Sequence, residues 1–215
     1  MKSILSTKKL STSQKQLFLN SGLSLVEYDA INTETTNFKF PSENIKNAIF
    51  TSKNSVNAVS GKVQVKNCFC VGEKTADLAN ESGFHILEIA DYGKDLAEII
   101  IQKYSEENFN FFCGNKRRDD IPEILKKNRI DFKEIEVYKT TLSPRAFSQE
   151  FDGILFFSPS AVQSFTAKNQ LNDTTAFCIG NTTAAEARKH TNNIITATKP
   201  SIENVIVQVV KYFKK

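Results

Sequence analysis

The sequence predicts an α/β protein built from two similar parallel-sheet units, and three observations carry that prediction. The first is an internal repeat. NAIFTSKNSVNAV over 47–59 and NCFCVGEKTADLANESG over 67–83, closed by HILEIA over 85–90, return as DGILFFSPSAVQSF over 152–165, TAFCIGNTTAAEARKH over 175–190 and NIITATKP over 193–200. Ser52 and Ser158 are 106 positions apart, as are Val56 and Val162, while Cys70/Cys178, Gly72/Gly180 and Thr75/Thr183 are 108 apart. A match held over several elements with one two-residue slip implies two copies of a unit of about 107 positions. The second observation is the alternation of strand and helix patterns along the chain, since parallel strands need crossovers and helical crossovers cover a sheet on both faces. The third is supply: 40% apolar residues, 17 of them phenylalanine, in 215 residues suffice for two small cores.

Taken in order, a short strand over 2–6 leads into the polar turn TKKLST over 7–12. Ser13 with Gln16 reads as a capping box for a helix reaching Asn20, and Gly22 stops it. A strand follows over 23–31, where β-branched and aromatic residues outweigh an imperfect alternation. The polar stretch 32–44, with Pro41 inside it, has room for an edge strand or a crossing between units. A strand over 46–50 ends at TSKN, and Ser52 caps a short helix whose Val56 and Val59 share a face. The next strand lies within 63–72 and turns at GEKT into a helix carrying Ala76, Leu78 and Ala79, which Gly83 ends. A strand over 84–90, a helix over 95–104 and a strand over 110–114 follow. Asp119 and Asp120 suit the positive first turn of a helix reaching Asn128, and Lys126 and Lys127 suit its last. A strand over 130–138 comes next.

A second polar break, 140–151, contains Pro144. After it come a strand over 153–157, a helix after SPS at 158–160, a strand over 175–179, a helix over much of 183–189 and a strand over 193–197. Ser201 introduces the last helix, where Ile202, Val205, Ile206, Val209, Val210 and Phe213 form one stripe. Segments 5–28 and 112–137 also align in kind, as strand, basic turn, helix and strand.

Composition excludes several classes. Lys and Arg exceed Asp and Glu by only 28 to 24, a net charge of +4, too weak a bias to imply nucleic acid. No apolar run approaches the roughly eighteen residues of a membrane span, and the N-terminus lacks a signal-peptide core. A cytoplasmic monomer is the expectation. The four cysteines, Cys68, Cys70, Cys113 and Cys178, sit in or beside apolar strand patterns without a CxxC, and read as buried free thiols. His85 and His190 are too far apart for a histidine-centred metal site, so no metal is expected.

Open α/β sheets bind ligands at the C-terminal ends of their strands. The places that qualify are TKK at 7–9, TSKNS at 51–55, GEKT at 72–75, GNKRR at 114–118 with SPS at 158–160, and GNTT at 180–183. Hydroxyls and small residues at a helix start leave backbone N–H groups open to an anion, although Ser and Thr are also ordinary caps. RRDD at 117–120 is either a solvated turn or an anion-facing one. Tyr138 is either a packed strand aromatic or a cleft residue. No G-x-S-x-G, Walker sequence or G-x-G-x-x-G occurs.

The same segments resemble the uroporphyrinogen-III synthase family. The matching pieces are IFTSKNSV (49–56), FCVGEKTA (69–76) before ESG (81–83), CGNKRRDDIPEIL (113–125) with VYKT (137–140), FFSPSAV (156–162) and FCIGNTTAAEA (177–187). They span nearly the whole chain in the expected order. The chain departs from the family at Thr7-Lys8, where a Thr-Arg pair is common, and in its short polar region 32–44.

The resemblance implies two flavodoxin-like parallel-sheet domains joined by a two-stranded linker, one holding 1–30 with 141–215 and the other 31–140. It implies cyclisation of hydroxymethylbilane, a linear tetrapyrrole with eight carboxylates, to uroporphyrinogen III, with loss of water, inversion of the terminal pyrrole and no cofactor. Thr51, Ser52, Lys53 and Asn54 would hold substrate from one domain, and Ser158 and Ser160 from the other, with Thr7, Thr75, Thr182 and Thr183 nearby. Gly72, Gly114 and Gly180 would permit close backbone approach, and Lys116, Arg117 and Arg118 would supply positive field. Tyr138 matches a family tyrosine that assists departure of the hydroxyl. The rival readings are a two-lobed anion sensor without turnover and a flavodoxin-like FMN carrier.

Overall fold

The computed structural model describes residues 1–117 and 119–214. The described chain divides into two compact units, Met1–Asn32 with Thr141–Lys215, and Thr33–Thr140.

In the inserted unit, β4 (Asn44–Phe50), β5 (Gln64–Val71), β6 (Ile86–Ala90), β7 (Asn108–Gly114) and β8 (Asp131–Leu142) form a parallel sheet in the order β6-β5-β4-β7-β8. Residues alternate between its two faces, as the pleat requires. Ala48, Phe50, Cys68 and Cys70 face α2 (Lys53–Val59) and α3 (Glu73–Glu81). Ile49, Phe69 and Phe111 face α4 (Gly93–Lys103) and α5 (Asp120–Lys127).

The other unit repeats this plan with parts from both chain ends. Its sheet runs β11 (Ile194–Thr196), β10 (Thr175–Cys178), β9 (Gly153–Phe156), β1 (Lys2–Ser6), β2 (Leu23–Glu27), all parallel. Leu5, Ile154, Phe156 and Ala176 face α6 (Pro159–Thr166) and α7 (Asn181–Ala187). Ile4, Leu155 and Phe177 pack with Val205, Ile206 and Val209 of α8 (Ile202–Phe213), and Leu10 and Phe18 flank α1 (Thr12–Gln16) in that core. Numbered from the strand that opens each repeat, both sheets have the order 3-2-1-4-5.

The chain passes between the units along β3 (Ile31–Thr35) and β8, which adjoin in the six-stranded sheet. Ser143 N–H donates to Ala30 C=O at 2.9 Å and Thr36 N–H to Val137 C=O at 3.0 Å, an antiparallel progression. The chain therefore folds as two flavodoxin-like α/β domains joined by a two-stranded linker.

Several element boundaries differ from expectation. Ser11, not Ser13, caps α1, with Gln14 completing the box. The helix ends at Gln16 rather than Asn20. In a run of Ser and Thr the cap is decided by where the preceding strand leaves the chain, and here Leu10 N–H is held by Glu27 at 2.7 Å, fixing Ser11 as the next position. β2 stops at Glu27 instead of continuing to 31, because Tyr28 and Ala30 N–H groups turn to the carbonyls of Ser6 and Thr7 beyond the ladder. β8 continues through the expected break to Leu142, drawn on by its pairing as part of the linker. Asp119 stands at the N-cap of α5 but makes no capping bond, since its carboxylate pairs with Arg117.

Candidate functional site

An open parallel sheet has one place where successive crossovers leave in opposite directions, and a crevice opens there at the C-terminal edge. In the inserted unit that place lies between β4 and β7: β4 hands the chain to α2 on one face, β7 to α5 on the other. In the other unit it lies between β9, which precedes α6, and β1, which precedes α1. The loops concerned are 51–54 with 114–117, and 157–160 with 7–9. Within each unit the fold thus brings together segments that the sequence separates widely.

In the inserted unit Ser52 is a true cap: its Oγ accepts from Asn54 N–H at 3.0 Å. A hydroxyl that accepts one bond keeps its own proton to donate. Thr51 is half-buried, and Lys53 and Asn54 are exposed. One strand further, α3 begins at Gly72, which has φ +83° and supplies no side-chain cap. No side chain caps its first turn, where Thr75 N–H turns back to the Gly72 carbonyl at 3.0 Å. Thr75, in that turn, is buried.

The segment after β7 differs most from expectation. Gly114 is buried, and a Cβ on it would lie 2.4 Å from Cε2 and Cζ of Tyr138. The glycine is needed to seat that ring; its bare face is turned to Tyr138. Tyr138 is half-buried, its ring packed on the core under α2 and α3, where the pairing of β8 with β7 ends. Arg117 is paired with Asp119 and with Glu134 on β8, which raises its pKa and ties its charge to two carboxylates. Lys116 is exposed and makes no ion pair among the described residues. Arg118 lies outside the described residues.

In the other unit Ser158 caps α6, accepting from Ala161 N–H at 3.1 Å, and Ser160 sits half-buried in the first turn behind Pro159. Gly180 starts α7 with extended backbone, open space on its Cα face and no side-chain cap. Thr182 is exposed, whereas Thr183 is 1% exposed and belongs to the core side. Thr7 is likewise 2% exposed, its hydroxyl donating to Leu155 C=O at 2.6 Å, so it stitches β1 to β9. Thr7 and Arg117 thus engage internal partners, and Thr75 and Thr183 occupy buried positions in the first turns of α3 and α7.

The arrangement is rich in single hydrogen-bond donors and poor in acid–base machinery. All four thiols are buried, and burial raises their pKa, to about 11 for Cys113 and about 12 for Cys70 and Cys178, so none is a thiolate near neutrality. Among the described residues no three His, Cys, Asp or Glu side chains gather in a metal-binding group, and no helix is long and apolar enough to cross a membrane. Asn115 lies inside the candidate segment 114–118, with its side chain turned to β8. It clamps the end of β8, and no local pattern signals that, because its partner Thr140 is twenty-five positions away.

Comparison with known proteins gives concordant results. Residues 15–206 match the family described as uroporphyrinogen-III synthase HemD. A porphyrin biosynthesis protein HemD of Ruminiclostridium josui is 32% identical over 151 residues, covering 63% of this chain and 30% of that protein. The match thus spans less than a third of that relative's length. Uroporphyrinogen-III synthetase from Helicobacter pylori 26695 superposes with a TM-score of 0.75 at 18% identity, over 99% of this chain and 100% of that one. A mutant uroporphyrinogen III synthase from the extremely thermophilic bacterium Thermus thermophilus does so at 0.63 and 12% identity, over 99% and 98%. At these identities the two structures attest the fold.

Proposed function

The chain belongs to the uroporphyrinogen-III synthase family, and from that premise we propose that it cyclises hydroxymethylbilane to uroporphyrinogen III, losing water and inverting the terminal pyrrole. The observation that carries the reading is the duplicated set of strand-end donors. Each unit places a serine hydroxyl at its own switch point, Ser52 in one and Ser158 in the other, with a helix start that lacks a side-chain cap one strand further, and the substrate brings eight carboxylates.

In the proposed reaction the pyrrole nitrogen lone pair expels the terminal hydroxyl, which leaves as water once protonated, giving an azafulvene. The substituted carbon of the last ring attacks the exocyclic carbon of that azafulvene and forms a spiro centre. The older bond of the spiro centre, to the methylene of the preceding ring, breaks to leave a second azafulvene there. The last ring's unsubstituted α carbon, on the other side of its nitrogen, attacks that methylene and loses its proton to restore the pyrrole. The protein's share is to hold a folded, near-attack shape in which attack through the substituted carbon is the nearer reaction. Ser52, Lys53, Asn54 and Lys116 would receive carboxylates on one unit, with Thr51 beside them and the N–H groups after Gly72. Ser158, Ser160, Thr182 and the N–H groups after Gly180 would do so on the other. The Tyr138 phenol would donate to the departing hydroxyl, by hydrogen bond or by proton transfer.

Product isomer analysis tests the reading. Hydroxymethylbilane generated in situ is cyclised with and without the protein, and the products are oxidised and separated. The expected result is a switch from isomer I, the unaided product, to isomer III. Isomer I alone from folded protein and fresh substrate rejects the synthase and leaves an anion sensor.

A further inference from the structure

The ladder between β7 and β8 pairs Cys113 with Glu136 but Gly114 with Tyr138, so Val137 is an extra residue on β8. Such a bulge interrupts alternation and re-aims the side chain beyond it. The packing shows that effect. Ile135 and Val137 belong to the core under α2 and α3, and Tyr138 packs against the same core. Unbroken alternation would have sent Tyr138 to the opposite face.

Asn115 holds the strand where the bulge has disturbed it. Its Oδ1 accepts from Thr140 N–H at 2.8 Å, and its Nδ2 donates to Thr140 C=O at 3.3 Å. Its own backbone N–H donates to Tyr138 C=O at 3.3 Å. One residue thereby fixes backbone on both sides of Lys139, immediately after the tyrosine whose ring covers Gly114. Thr140 is buried, so both of its backbone groups need protein partners.

From this geometry we infer that Asn115 is a positioning residue, which keeps the bulged end of β8 set so that the Tyr138 phenol stays seated over Gly114. The inference rests on the proposed use of that phenol. Asn115 acts through the strand and touches no reacting atom. Removing its carboxamide leaves the Thr140 groups unpaired and frees the bulge to relax, while the rest of the β7–β8 ladder persists.

Two measurements test it on the full chain. The first is kinetics of isomer III formation for wild type, Asn115→Ala, Asn115→Asp, Tyr138→Phe and the Asn115→Ala/Tyr138→Phe double variant. Asn115→Ala is expected to lower kcat about tenfold with KM within about twofold, yet to cost less than about twofold when Tyr138 is already Phe. The second is NMR of 13C-labelled tyrosine. The Tyr138 ring signal, identified by its loss in Tyr138→Phe, should move in Asn115→Ala while that of Tyr92, 67% exposed, does not. Equal losses in both backgrounds, or an unmoved Tyr138 signal, would overturn the inference. So would isomer III formation untouched by Tyr138→Phe, which would leave the reaction itself standing. If Asn115→Ala does not fold, Asn115→Asp, which keeps the acceptor and loses the donor, carries the same comparison. A wild type that makes no isomer III removes the reaction instead, and the ring signal still decides whether Asn115 sets the phenol.

Discussion

At Gly114 a single missing methyl group governs where an aromatic ring can lie. Gly114→Ala would drive a Cβ into Tyr138, and relieving that overlap should cost about 1–3 kcal/mol. Denaturant unfolding checks the value, and the Gly114→Ala/Tyr138→Ala double variant should lose less from the alanine at 114 than the single one does. Equal losses would mean that the ring is not what the glycine accommodates. Tyr138→Phe keeps the packing and removes only the hydroxyl, so stability should hold while kcat falls roughly tenfold to a hundredfold. Because the pyrrole lone pair supplies most of the push, a loss beyond about a thousandfold in folded protein would contradict a merely assisting phenol. Tyr28 poses the opposite case. Burial raises its pKa to about 12, and its hydroxyl is buried without a hydrogen-bond partner among the described residues. Tyr28→Phe should therefore stabilise, or at worst leave stability unchanged, by up to about 1–3 kcal/mol. A clear destabilisation on chemical unfolding would reveal a partner for that hydroxyl.

At the scale of elements, the two repeats preserve a device while exchanging its parts. Lys46 at the start of β4 reaches Glu107 before β7, at 2.6 Å; its repeat counterpart Asp152, before β9, reaches Lys2 on β1 at 2.7 Å. The ion pair joins the same two central strands with its charges reversed. The Lys2 ammonium holds the Asp152 carboxyl below its ordinary value, opposed by desolvation and helped by Ser3 N–H at 2.8 Å. A carboxyl with a depressed folded pKa stabilises fully above its unfolded value, and that stability disappears as pH falls through the folded one. Wild type should thus exceed Asp152→Asn in Tm by a constant margin from neutral pH down to about pH 5, a margin that shrinks below about pH 4. A margin that persists undiminished at lower pH would remove the pair from the account of β1 docking. Strands and helices were legible because the repeat printed them twice: Ser52 and Ser158 stand at caps, and the alternation of 48–50, 68–70 and 176–178 marks strands covered on both faces. What stayed hidden depends on partners remote in the chain. Nothing near Arg117 announces Glu134, nothing near Thr7 announces the Leu155 carbonyl, and Asn115 finds Thr140 only after β7 and β8 pair. Residue types at strand ends located the candidate loops; which hydroxyls turn inward was settled by packing.

At the scale of the whole molecule, one unit is continuous in sequence and the other is assembled from both ends of the chain, and that asymmetry has consequences for folding. Thr33–Thr140 holds all five strands of its parallel sheet and both helix layers in one continuous segment. Its two cores, around Phe50 and Phe112 on one face and Phe69 and Phe109 on the other, draw on no residue outside it. The unit of Met1–Asn32 with Thr141–Lys215 takes its strand β1, paired on both sides by β2 and β9, from the opposite end of the chain. Without the N-terminal piece, β9 would have an open edge, and Ile4, Leu5, Leu10 and Phe18 would be missing from its two cores. A fragment of residues 33–140 is therefore expected to unfold cooperatively on its own. A fragment of residues 141–215 is expected to be unfolded or aggregated until a peptide of residues 1–32 is added, after which dispersed amide NMR signals should appear. If 141–215 folds alone, β1 is an accessory rather than an integral interior strand of its sheet, and the repeat would have to be redrawn with its second copy complete in the C-terminal third.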